Sequence, residues 1–154
     1  MSSSVPGEIL GLHHVKVAVT DLQRSRAWYE RVLDLEPILE WPDSQGVARG
    51  VRYRAKGGFA LALREDSTIA HAMVGFDPFA ILVQGRGDVE AWADRLDKLG
   101  VDHSPVRAGA LGWLLWFDDP DGLQLKIYSD DSHGLSRDQM TSVARPVERS
   151  ATKT

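Results

Sequence analysis

The secondary-structure signals in this chain run through the same order twice, and few folds can be built from such a repeat. Residues 12–19 alternate, with Val15, Val17 and Val19 on one face and His14, Lys16 and Ala18 on the other. That period marks a half-buried strand. Thr20 and Asp21 then supply N-cap chemistry for a helix, in which Leu22, Trp28, Tyr29, Val32 and Leu33 recur near helical spacing. Three β-like runs follow, at 37–41, 47–55 and 59–64, with turn-forming stretches at 42–46 and 56–58. The order then restarts. Residues 79–83 make a strand, and Asp88 is the expected cap of a second helix striped by Val89, Trp92, Ala93, Leu96 and Leu99 and stopped at Gly100. Runs at 101–106, 112–117 and 123–128 complete the second half. Each half reads β-α-β-β-β.

A single unit of this kind leaves one sheet face bare. Two of them solve the problem by curving around a shared cavity with the helices outside. The expected class is therefore α+β: modules at about 10–64 and 77–129, a linker at 65–76, and an incompletely closed mixed sheet or barrel. A ferredoxin-like α+β sandwich is the competing arrangement. Residues 132–154 are polar and aperiodic and read as a mobile tail. The 154 residues suffice for one sizeable core. No apolar run approaches the roughly 18 residues needed to span a bilayer, so no membrane partner is expected. The absence of cysteine removes disulfides, thiolate ligands and a cysteine nucleophile, and fits a cytoplasmic protein. A formal charge of −4 argues against a nucleic-acid partner.

Two stretches point to a family. One is Leu12-His13-His14-Val15-Lys16-Val17-Ala18-Val19-Thr20-Asp21-Leu22, running into Arg26-Ala27-Trp28-Tyr29-Glu30. The other is Trp116-Phe117-Asp118-Asp119-Pro120-Asp121-Gly122-Leu123-Gln124-Leu125-Lys126-Ile127. Together they resemble the entry and exit of the glyoxalase/bleomycin-resistance/dioxygenase family, the vicinal oxygen chelate (VOC) fold, over residues 10–130. The resemblance implies metal ligands on the first, fourth, fifth and eighth strands, which fall on His14, Ala62, Pro78 and Lys126. Only His14 can coordinate. A catalytic zinc usually needs three protein ligands and a hard cation several oxygens, so the expectation is no metal and no cofactor. A non-standard site would have to draw on Glu65, Asp66, His71 or His103.

Strand alternation gives the residues that face the cavity. His14 and Lys16 look inward from the first strand, Ala62 and Arg64 from the fourth, Pro78, Ala80 and Leu82 from the fifth, and Gln124, Lys126 and Tyr128 from the last. The family pattern also turns Leu114 and Trp116 toward the pocket, while Trp28, Trp92 and Phe117 read as core. Two classes of function follow. The first is a metal-free small-molecule binding protein with the sequestration logic of bleomycin resistance, its cations selecting an anionic or aromatic ligand through Lys16, Arg64, Leu114, Trp116, Gln124 and Tyr128. The second is a lyase, isomerase or dioxygenase with His14 as base and Lys126 as electrophile. The resemblance further implies a homodimer.

Overall fold

The computed structural model describes residues 7–136, together with Gln139 and Val147. The tail expected at 132–154 therefore falls mostly outside the described residues. The chain divides into two compact units: residues up to Gly75 with Asp119–Leu123, and Phe76–Asp118 with the residues from Gln124 onward.

In the first unit the elements are β1 (Val15–Val19), α1 (Leu22–Leu33), β2 (Glu36–Pro42), β3 (Ala48–Arg54) and β4 (Ala60–Glu65). The sheet order is β1-β4-β3-β2, with β1 parallel to β4 and the other pairs antiparallel. Asp21 caps α1 as expected, its carboxylate accepting from the Arg24 N–H at 3.0 Å. The Leu22 N–H, another of the unpaired donors of the first turn, donates to Glu65 at 3.0 Å. Leu22, Tyr29, Val32 and Leu33 are buried on α1, and Val17, Val19, Val51, Tyr53, Leu61 and Leu63 are buried on the sheet. Burial of each large apolar side chain contributes about 1.5–3 kcal/mol, so this face of the sheet is committed to the helix. The opposite face stays open.

The stretch expected as a linker contains a short helix, α2 (Ser67–Ala72). Asp66 caps it by accepting from the Ile69 N–H at 3.1 Å. Six residues are too few for a hydrophobic periodicity to register, and the cap is the only local sign.

The second unit repeats the plan with β5 (Ala80–Val83), α3 (Arg86–Lys98), β6 (Arg107–Ala108), β7 (Trp113–Asp118) and β8 (Gln124–Ser129). Its order, β5-β8-β7-β6 with β5 parallel to β8, is the same permutation as in the first unit. Val89, Leu96, Leu115, Phe117, Leu125 and Ile127 form its core. No hydrogen-bonded ladder joins the two sheets among the described residues.

Three expectations need correction. Asp88 is not the N-cap of α3 but its third residue, and its carboxylate accepts from the N–H of Gly85, the residue at the cap position. The run at 101–106 is not a strand: only a bridge from His103 to Phe117 forms there, and the ladder proper is the two residues of β6. Pro105 has no N–H to give. Ser104 supplies the pairing instead, its N–H donating to the Trp116 carbonyl at 2.9 Å and its hydroxyl accepting from the Trp116 N–H at 3.0 Å. Finally, Phe117 is core, but Trp28 and Trp92 are only half-buried. Each lies on the flank of its helix stripe, Trp28 edge-on to Tyr29 and Trp92 beneath Arg95.

The turn Asp119-Pro120-Asp121-Gly122 packs within the first unit although it joins β7 to β8. Gly122 takes φ +83°, the left-handed conformation that closes it. Asp119 accepts from the backbone N–H groups of Asp121 (2.8 Å) and Leu123 (3.0 Å) and from the buried Tyr29 hydroxyl (2.8 Å). Asp121 accepts from the Thr20 hydroxyl at 2.5 Å and from Arg24 at 2.6 Å.

Candidate functional site

The open face of the first sheet collects positive charge. Val51 and Tyr53 are buried under α1, so Arg52 between them faces the other way. Register puts Lys16 on β1 and Arg52 on β3 on either side of Ala62 on β4. Two strand spacings separate their backbones, about 10 Å. Two residues along the strands, on the same face, Arg64 lies between Ala18 and Gly50, and Gly50 is paired with Trp41 on β2. Small residues thus form a floor between long cations.

A recess of about 270 Å³ lies on this face, lined by Lys16, Trp41, Arg49, Gly50, Ala62 and Arg64 among others. Trp41 is 50 % exposed and leans over Gly50. A methyl group on that glycine would meet Trp41 Cε3 at 3.4 Å and the Leu63 carbonyl oxygen at 3.3 Å. The contact with the indole would be an ordinary one, and the tighter of the two is with the Leu63 backbone. Arg49 is already engaged, by Asp43 at 3.0 Å and Glu65 at 2.6 Å. Lys16, Arg52 and Arg64 have no acidic partner among the described residues. Arg52 is not among the residues that line the recess but is paired with Ala62, which is, and its Nε is buried without any hydrogen-bond partner. Such a donor costs about 1–3 kcal/mol until an acceptor arrives.

His14 precedes β1 and is exposed, its Nδ1 lying 2.9 Å from Nδ1 of His13. Loss of hydration, then the charges of Arg52, His13 and Lys16, hold its pKa below the ordinary histidine value. The imidazole beside this face is neutral at neutral pH.

On the second sheet the expected residues share one open face. Lys126 on β8 lies opposite Ala80 and Trp116, and Tyr128 opposite Leu82 and Leu114. Lys126 donates to Asp77 at 2.5 Å, and this bond holds the Asp77 carboxyl below its usual range. Leu114 is only 6 % exposed, shut in where Gly109 and the Tyr128 hydroxyl close over it. Trp116 and Gln124 border a separate depression of about 640 Å³ with Asp102, His103 and Asp118.

This layout determines what the residues can hold. Across residues 11–127 the chain matches the profile of the Glyoxalase/Bleomycin resistance protein/Dioxygenase superfamily. The chain belongs to that superfamily. It is similar to the metallothiol transferase FosB of Bacillus licheniformis, 27 % identical over 126 residues that cover 79 % of this chain and 77 % of the relative. Among solved structures it is similar to a glyoxylase/bleomycin resistance protein/dioxygenase domain from Frankia sp. EAN1pec, at 25 % identity and TM-score 0.63, covering 83 % of this chain and 96 % of that one. It also shares its fold with a variant of the fosfomycin resistance protein FosX from Listeria monocytogenes, complexed with Mn(II) and 1S,2S-dihydroxypropylphosphonic acid. That likeness is at 20 % identity and TM-score 0.61, over 79 % of this chain and 93 % of that one.

The superfamily's metal does not fit the residues present here. Ala62 and Pro78 carry no donor atom, and the Lys126 ammonium is already bonded to Asp77. The non-standard donors have structural work elsewhere. Glu65 accepts from Leu22 and Arg49, Asp66 caps α2, and His103 bonds Asp97 and the Ser104 carbonyl. His71 is exposed on α2. No group of three metal-binding side chains occurs among the described residues.

Sequence reasoning missed Arg52 and placed Trp41 only at the end of a β-like run. The signal for Arg52 was available: in Gly50-Val51-Arg52-Tyr53-Arg54 the apolar residues alternate with arginine, as in the strands that were read for orientation.

Proposed function

We propose that this protein binds a small anionic organic molecule without a metal, sequestering it on the open face of the first sheet. The observation that carries the reading is the set of Lys16, Arg52 and Arg64 without acidic partners, on one face of a chain whose net charge is −4. Charge-assisted bonds from such side chains are the strong ones for carboxylate or phosphoryl oxygens. The phosphonic acid complexed with Listeria FosX is itself an anion, which supports the ligand class. Trp116, Gln124 and Tyr128, with the more buried Leu114, form a second candidate contact surface within the second unit alone. This reading has the protein act in the cytoplasm as a homodimer, with no nucleic-acid or membrane partner; no described helix is long and apolar enough to cross a membrane.

A second reading is an enzyme. It is favoured by the neutral His14 imidazole beside Lys16 and Arg52, a base next to cations that would stabilise an enolate oxygen. Calorimetric titration with small aromatic and keto carboxylates tests the first reading. Binding that Lys16→Gln and Arg64→Gln both weaken supports it, and binding untouched by either sinks it. Product formation from the bound molecule would transfer the case to the enzyme reading. Purified protein is expected to hold no stoichiometric transition metal, and chelator to leave its melting temperature unchanged. Light scattering at micromolar concentration checks the dimer.

A further inference from the structure

Resting on the anion-binding reading, the geometry points to a narrower ligand class: a flat, single-ring organic molecule bearing two negative charges. Three observations combine. First, the two cations that line the recess without an acidic partner, Lys16 and Arg64, stand on neighbouring strands two register positions apart, with Arg52 beyond Ala62 as a third cation on the same face. Arg49, which also lines the recess, is held by Asp43 and Glu65, and no acidic residue lines it. A monoanion would leave at least one lining cation unmatched. A dianionic head satisfies both lining cations.

Second, Trp41 presents a half-exposed indole beside Gly50, with no hydrogen-bond partner among the described residues. An exposed aromatic face of this kind takes a planar unsaturated body. Third, the recess of about 270 Å³ lies just below the roughly 300–1,000 Å³ typical of drug-sized sites, which suits a small, single-ring molecule. Phosphoryl and dicarboxylate heads share the required chemistry.

The test uses the full chain in a phosphate-free buffer, titrated by calorimetry with phenyl phosphate, phthalate, benzoate and succinate at a pH where the first two are dianions. Phthalate or phenyl phosphate is expected to bind about tenfold more tightly than benzoate, the equivalent of one charged hydrogen bond. Phthalate is expected to exceed succinate by a comparable factor. Arg64→Gln should bring the phthalate-to-benzoate ratio close to one. Trp41→Ala should do the same to the phthalate-to-succinate ratio. Benzoate binding as tightly as phthalate overturns the two-charge inference, and succinate equal to phthalate overturns the ring. Either result leaves anion binding standing, whereas no heat with any of the four compounds removes the underlying reading as well. Circular dichroism of both variants shows that a lost ratio is not lost folding. Stronger phenyl phosphate than phthalate binding assigns a phosphoryl head, and the reverse a dicarboxylate.

Discussion

Replacing Tyr29 with phenylalanine tests what fastens the Asp119-Pro120-Asp121-Gly122 turn. The tyrosine is fully buried, and its hydroxyl donates to the Asp119 carboxylate at 2.8 Å. Phenylalanine keeps the ring and its packing, so no cavity is opened and the cost is that of one hydrogen bond to a charged acceptor, about 1.5–3 kcal/mol. Asp119 keeps its two backbone donors, which argues for the middle of that range, about 2 kcal/mol. For a chain of this length each kcal/mol moves the melting temperature by about 2–4 °C, so a drop of about 4–8 °C is expected. Urea unfolding followed by tryptophan fluorescence measures it, with the slope unchanged if the unfolded state is unaffected.

The pH dependence sharpens the test. Burial raises the Asp119 pKa above the ordinary carboxylate value, and the bond from Tyr29 opposes that rise. The wild-type contribution of this raised group is therefore present below the unfolded value near 3.8 and lost as pH rises through the folded pKa. Without the hydroxyl the folded pKa rises further. The deficit of Tyr29→Phe should be largest at neutral pH, where the carboxylate is ionised, and shrink in acid. A loss under about 0.5 kcal/mol at neutral pH, within the range of ordinary surface substitutions, or a deficit that grows in acid, would refute this account.

Two further outcomes are expected. In Gly109→Ala the added methyl would overlap the Tyr128 hydroxyl and the Leu114 side chain, so a loss of about 1–3 kcal/mol is expected in the same urea assay. The His14 ring resonances should titrate below 6.5 in NMR and move upward in Arg52→Gln, which removes one of the charges acting on the ring; an unmoved midpoint would place Arg52 elsewhere.

The fold was largely readable because its signals are local. The valines of β1, the Asp21 cap and the Gly100 stop each follow from a few neighbouring residues, and the second half repeats them. The misreadings occurred where local signals compete. Ser104-Pro105 sits inside an apolar run, yet proline cannot donate to a ladder, so the edge strand shrinks to two residues. At the site, alternation put Lys16, Arg64 and Lys126 on the strand faces expected to line a cavity. Two facts were beyond its reach: that Lys126 is tied to Asp77, which is 49 residues away in sequence, and that Trp41 lies across Gly50. Both depend on which strands become neighbours, and a single sequence does not print that.

The clasp between Tyr29 and Asp119 has a consequence for how the chain is made. The first unit is not the first half of the gene: its buried hydroxyl waits for a carboxylate 90 residues downstream. During synthesis the N-terminal unit cannot reach its final state until the ribosome has passed Leu123. A split between Gly75 and Phe76 would strand Tyr29 on one fragment and its acceptor on the other. The two repeats look like copies, yet the first half cannot be expressed alone without leaving the buried Tyr29 hydroxyl unanswered.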